Sequence, residues 1–181
     1  MSKVEVSQMD IDHLKVIRNS VSEFLSSCGK RFSRPGALLL DIAPQDHEGA
    51  NPHFDPEVIK ETLDINPEAG CTYTGDICKK NEFISDGRFD YIVCTEVLEH
   101  TRRPFEAASE LFRILKKDGL LFLTVPFNFR IHGPLPDCWR FTEHGLREIL
   151  HQFKIEELNQ VNCPGRDLMP IHYTVVARKL V

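Results

Sequence analysis

Hydrophobic positions along this chain follow two different periods. Between Ser7 and Cys28, the residues Leu14, Ile17, Val21, Phe24, Leu25 and Cys28 recur at steps of three and four, which predicts an amphipathic helix. Ser7 and Asp10 can form a capping box at its start, and Gly29 stands where a helix commonly stops. The next run, Ala37 to Ile42, is too short for a helix and enters on Pro35-Gly36, so it predicts a buried strand. From Ala43 to Lys60, Pro44, Gly49, Pro52 and Pro56 sit among polar residues, leaving room for one helical turn near Pro56 to Lys60 at most. Short strands are predicted at Glu61 to Asp64 and Cys71 to Tyr73.

The second half is more regular. Phe89 to Cys94 predicts a buried strand, Pro104 to Leu115 a helix with Phe105, Ala108, Phe112 and Leu115 on one face, and Leu120 to Val125 another strand. Strands that are apolar throughout, alternating with helices, indicate a parallel sheet covered on both faces. A loop rich in proline and aromatics follows, and Thr142 caps a helix running to about His151. Phe153 to Asn159 and Ile171 to Lys179 read as two strands with no helix between them, hence an antiparallel final pair. The expected fold is α/β: a Rossmann-like, doubly wound, mostly parallel sheet of about seven strands with the last strand antiparallel, in a three-layer sandwich. At 181 residues one domain over 1–181 is expected, with the N-terminal helix in 1–30 and a lid or acceptor loop at 126–141.

Composition narrows the function classes. A net charge of −5 argues against a surface that neutralises many phosphates, so nucleic acid is not an expected partner. No apolar run is long enough to span a bilayer, and the first residues lack the apolar stretch of a secretory signal, so a cytoplasmic location is expected. The six cysteines lack any C-x-x-C pair and read as free thiols. His47, His53 and a cysteine are a weak zinc alternative without the tight spacing of structural zinc sites, and no metal is expected.

Asp41, Asp64, Asp76 and Glu96 each close an apolar run, although turns also favour aspartate on their own account. In a doubly wound sheet, ligands lie beyond the carboxyl ends of the strands, so folding would gather these acids on one rim suited to hydroxyl and amino groups. The block Phe89-Asp90-Tyr91-Ile92-Val93-Cys94, then Glu96-Val97-Leu98-Glu99-His100, Pro104-Phe105 and Leu115-Lys116-Lys117-Asp118-Gly119-Leu120-Leu121, resembles the centre of class I S-adenosylmethionine-dependent methyltransferases, of the type 11-like group. The resemblance extends less sharply from Ala37 to about Leu180.

It implies S-adenosylmethionine as cofactor, Asp41 beside its methionine part, Asp64 with Ile65 at the ribose, Asp76 and Ile77 at adenine, and Thr95 and Glu96 lining the donor pocket. The implied activity is methyl transfer to a small-molecule acceptor through a hydroxyl or similar nucleophile. Positioning supplies much of the acceleration in such a transfer, and His100 and His132, after the fourth and fifth strands, are the candidates for removing a proton. Each has a plainer alternative, His100 as a packing residue and His132 as a loop histidine bonded to backbone. Arg130, Trp139 and Arg140 are candidate acceptor-binding residues, with packing of Trp139 on the sheet as the alternative. The chain departs from the family after its first strand, where Asp41-Ile42-Ala43-Pro44-Gln45-Asp46-His47-Glu48-Gly49 lacks the usual glycine-rich turn. That departure keeps a non-catalytic binding or regulatory module as the second reading. A nicotinamide dehydrogenase is a distant third.

Overall fold

The computed structural model describes residues 5–44 and 49–181. The elements are α1 Gln8–Phe32, β1 Leu38–Ile42, β2 Ile59–Asp64, β3 Tyr73–Thr74, β4 Phe89–Thr95, α2 Pro104–Ile114, β5 Leu115–Pro126, α3 Glu143–Ile149, β6 Lys154–Val161 and β7 His172–Arg178. The seven strands form one sheet in the order β3-β2-β1-β4-β5-β7-β6. β1 pairs in parallel with β2 and β4, while β7 runs antiparallel to both β5 and β6. The chain order reverses beside β1 and β4, and the ligand crevice of such a sheet lies there.

Each face of the sheet is covered differently. On one, α2 and α3 bury Leu111, Ile114, Leu146 and Ile149 against Ile92, Cys94, Leu121 and Leu123. On the other, α1 places Leu25 and Cys28 over Leu39, Val93, Phe122 and Val176. A helix that ordinarily joins the first two strands of such a fold is absent from the described residues. Ala50, Phe54 and Val58 instead pack beside α1 as an extended, turn-rich segment. Phe122 is the hub of this layer, with ring centroids 6.5 Å from Phe24, 5.7 Å from Phe32, 5.7 Å from Phe54 and 6.0 Å from Tyr91.

The capping box forms as expected, Asp10 N–H donating to Ser7 Oγ and Ser7 N–H to Asp10 Oδ2. Gly29 does not stop the helix. It is buried mid-helix, where an added Cβ would lie 1.8 Å from the carbonyl oxygen of His53, so its missing side chain serves close packing. The helical turn expected near Pro56 to Lys60 gives way to β2, which starts at Ile59 and pairs with Leu38. β3 forms at Tyr73–Thr74, past the expected Cys71. β5 starts five residues early, at Leu115, because Lys116 Nζ reaches Asp90 Oδ2 at 2.7 Å and holds the segment against β4 across a bulge.

Truncating the hub should leave a cavity that three separate segments cannot fill together. Phe122→Ala is expected to lower unfolding free energy by ~3–5 kcal/mol, seen as a lower urea midpoint with an unchanged slope.

Candidate functional site

The carboxyl ends of β1, β2 and β4 face two adjoining cavities. The first, of about 440 Å³, is lined by Asp64, Ile65, Asp76, Ile77 and Glu96, with Ile42, Leu63 and Val97 supplying apolar wall. The second, of about 730 Å³, lies between α1 and the loop after β5 and is lined by Asp41, Thr95, Glu96, His100, Arg130 and His132. Ala43, Glu96, His100 and Pro134 border both. The strand-end acids expected on one rim are therefore together, divided between two compartments.

Asp64 is buried, and its Oδ1 accepts from Asn66 N–H at 2.7 Å. No hydrogen bond to its Oδ2 occurs among the described residues. Asp76 accepts from Cys78 N–H at 2.9 Å, which bends the chain so that Ile77 is buried in the cavity wall. Glu96 sits just past β4 with φ of 55°, a conformation costly for a residue with a side chain. It is held there by Thr124 Oγ1–H at 2.8 Å and His172 Nε2–H at 2.7 Å, while Ser20 Oγ–H donates to His172 Nδ1 at 3.0 Å. A carboxylate only accepts, so this chain of bonds sets the His172 tautomer and links α1 to the rim.

Beyond Glu96 a 3-10 turn, Leu98–His100, brings Glu99 and His100 under the loop of residues 126–141. Cys138 N–H and Trp139 N–H both donate to the Glu99 carbonyl, at 2.7 and 3.2 Å, and Trp139 Nε1–H donates to Thr101 O at 2.8 Å. The Glu99 side chain is 0% exposed, and both of its oxygens lack a hydrogen-bond partner among the described residues. Burial, and then the neighbouring Glu96 charge, push its carboxyl well above the ordinary range. His100 and His132 stand edge to face, ring centroids 4.8 Å apart, with Nε2 atoms 3.7 and 3.9 Å from Glu99 Oε1. His100 Nδ1–H donates to Pro136 O at 3.1 Å; His132 Nδ1 lies 3.0 Å from Asp137 Oδ2 and 3.3 Å from Arg130 O.

Two acceptor-binding candidates do other work. Arg140 is committed within the loop: Nη1 and Nη2 fork onto Asp137 at 2.5 and 2.7 Å, and the remaining donors go to the carbonyls of Phe129, Arg130 and Trp139. All five N–H groups are used, so none is left for an acceptor. Burial works against ionisation of Asp137, but the Arg140 fork and His132 N–H outweigh it and hold the carboxyl at about 2. Trp139 is 41% exposed, stacks on Phe141 and borders neither cavity. Arg130 does line the second cavity.

Glu99, Asp137, Thr124 and His172 were not among the sequence candidates. Glu99 lay inside the block Glu96-Val97-Leu98-Glu99-His100, and an acid three residues after Glu96 was the available signal. His47 lies outside the described residues, while His53 Nδ1 is 2.8 Å from Ser26 Oγ at the α1 contact.

The loop after β1 answers its lack of glycines in part. Ala43 takes the left-handed conformation, φ 52°, and Gly49 does so too, φ 55°, where a Cβ would fall 2.1 Å from Asp41 Oδ2. That carboxylate accepts from Ala50 N–H at 2.7 Å and anchors the returning chain.

A family profile described as a methyltransferase domain matches residues 21–162. The chain belongs to the class I S-adenosylmethionine-dependent methyltransferase family. Solved structures agree with this domain in fold. A methyltransferase structure from Methanosarcina mazei superposes with a TM-score of 0.65 at 17% identity, covering 84% of this chain and 96% of that one. One from Bacillus halodurans, titled a putative methyltransferase, gives 0.67 at 16% identity, covering 90% and 100%. The [4+2]-cyclase SpnF gives 0.69 at 15% identity, covering 90% and 81%. A search of curated proteins found no match. No helix among the described residues is long and apolar enough to cross a membrane.

Burial raises the Asp41 carboxyl from 3.8 to about 6, against the opposing pull of the Ala50 N–H. The folded methyltransferase domain therefore holds a proton that the unfolded chain releases, and stability falls as pH rises between about 4 and 6. Asp41→Asn still accepts from Ala50 but carries no charge. Its melting temperature is expected to exceed the parent's at pH 7.5, with the two curves converging near pH 4 in a thermal melt series.

Proposed function

We propose that this domain transfers a methyl group from S-adenosylmethionine to a hydroxyl or similar nucleophile of a small-molecule acceptor. The supporting observation is the pair of cavities that meet at Ala43, Glu96, His100 and Pro134. A volume near 440 Å³ is in the range of cofactor pockets, and the larger compartment leaves room for a second molecule whose nucleophile faces the first.

The residues of the first cavity fit the cofactor's chemistry. Asp64, with Oδ2 not engaged by the described residues, is placed to accept from ribose hydroxyls, with Ile65 beside it; Asp76 and Ile77 form the adenine end. Asp41 and Thr95, which the family resemblance implies at the methionine end, line the second cavity and not the first, next to the shared Glu96. When bound, the cofactor supplies an electrophilic methyl group on a positively charged sulfur. Among the described residues Arg18 and Arg130 line the second cavity as cations available to an acceptor, and His100 and His132 line it as bases. A chain of net charge −5 suits a small acceptor better than a nucleic acid. Six free cysteines suit the reducing cytoplasm, which is the location we propose.

The second reading, a non-catalytic binding or regulatory module without a functional cofactor loop, draws on the left-handed Ala43 where glycine is usual. Calorimetric titration with S-adenosylmethionine separates the readings: binding is expected in the parent, and Asp64→Ala should weaken it ~10–100-fold, the loss of a charged hydrogen-bond acceptor. Absence of binding at millimolar cofactor would refute the methyl-transfer proposal.

A further inference from the structure

We propose that Glu99, His100 and His132 form a binding site for a divalent first-row transition ion, opening on the acceptor cavity. The side-chain ligand atoms of these three residues all lie within 4.8 Å of one another. Their hydrogen-bond partners say which atoms carry protons. Pro136 O and Arg130 O can only accept, and Asp137 is a carboxylate, so both histidines carry their proton on Nδ1. In the neutral rings both Nε2 lone pairs then converge on a carboxylate oxygen, at 3.7 and 3.9 Å, with no donor between them among the described residues.

Two partly exposed imidazole acceptors that meet a buried, unpartnered carboxylate suit a positive ion. A single proton on Glu99 does not satisfy them, because 3.7 Å is beyond a hydrogen bond and only one histidine would be served. The Arg140 guanidinium does not either, since all five of its donors are spent within the loop. Metal bonds of ~2.0–2.2 Å to imidazole and carboxylate place neighbouring ligand atoms ~3.0–3.6 Å apart, so the carboxylate–imidazole separations of 3.7 and 3.9 Å must shorten slightly and the set, within 4.8 Å overall, must draw in on the ion. Two imidazoles and one carboxylate favour a transition ion over Mg²⁺. Asp137 and the Pro136 carbonyl, bonded to Nδ1 of each ring, are the outer partners that metal-binding histidines commonly have.

His100 and His132 also line the second cavity, so the remaining coordination positions face the acceptor. The substrate class this fits is a molecule whose hydroxyl, or adjacent pair of oxygens, can take those positions. This last step rests on the methyl-transfer proposal and turns the histidines from bases into ligands; the cation site itself does not depend on it.

The test uses purified protein stripped with a chelator, titrated by calorimetry with Zn²⁺, Co²⁺, Mn²⁺ and Mg²⁺ in the absence of any methyl donor. One equivalent of a transition ion is expected to bind more tightly than Mg²⁺ and to raise the melting temperature. Glu99→Gln and His132→Ala should each weaken binding at least ~10-fold, the loss that even an outer partner's removal brings. Cys138→Ser, an exposed neighbour with its thiol outside the site, should bind as the parent does. Stripped Glu99→Gln should melt no lower than the stripped parent, because it removes an unpaired buried carboxylate, and this checks that the variant folds. Failure of all four ions to bind stoichiometrically, or binding that survives both substitutions, overturns the site. S-adenosylmethionine titrated into the same samples keeps the two proposals apart: cofactor binding without a cation removes only this inference, and a cation without cofactor binding removes only its role toward the acceptor.

Discussion

A parallel sheet that is apolar on both faces must be covered on both, and among the described residues this chain meets that demand with no α-helix between β1 and β2, β2 and β3, or β3 and β4. α1 precedes the first strand and lies across β5 and β7, and the segment from Ala50 to Val58 fills the space beside it. Phe122 joins these pieces by contact with Phe24, Phe32, Phe54 and Tyr91. Gly29 lets α1 approach the His53 carbonyl closely enough for the two to share one face. The rim depends on this packing, because α1 forms the far wall of the second cavity.

The same helix reaches the chemistry through hydrogen bonds. Ser20 bonds to His172, His172 to Glu96, and Glu96 to Thr124, so the left-handed backbone at Glu96 is held from three elements. His13 Nδ1 lies 2.9 Å from Asn128 O and ties the start of α1 to the loop of residues 126–141. That loop has its own staple, the fork of Arg140 on Asp137, and is fastened to the rim at the Glu99 carbonyl. Asp137 thus serves two purposes: it neutralises Arg140 and bonds to His132. A charged cluster built this way stays rigid because each member satisfies another.

Glu99 breaks that rule. Its main-chain oxygen is doubly bonded, while its carboxylate, a few bonds away, has no partner among the described residues. A buried polar group without a partner is costly enough that it is usually retained for use, and here it lies beneath His100, which borders both cavities, and beside His132.

Much of the fold was legible from the sequence. Local periodicity and turn chemistry marked α1, β1, β4, α2, α3 and the final antiparallel pair, because these depend on spacing within a dozen residues. Glycine at position 29 and the boundaries of β2 and β5 were misread, because each is settled by a distant partner: His53, Leu38 and Asp90 respectively. At the site, the strand-end acids were foreseeable, since a doubly wound sheet places every such residue on one rim. Their division between two cavities, the commitment of Arg140 to its own loop and the burial of Glu99 were not. Those features arise where a loop some forty residues downstream closes over a single turn after β4. The sequence by itself determined the elements and the order in which they could pair; only the tertiary structure decided which polar atoms end up buried, partnered or facing a ligand, because desolvation depends on what covers a group and not on its neighbours along the chain.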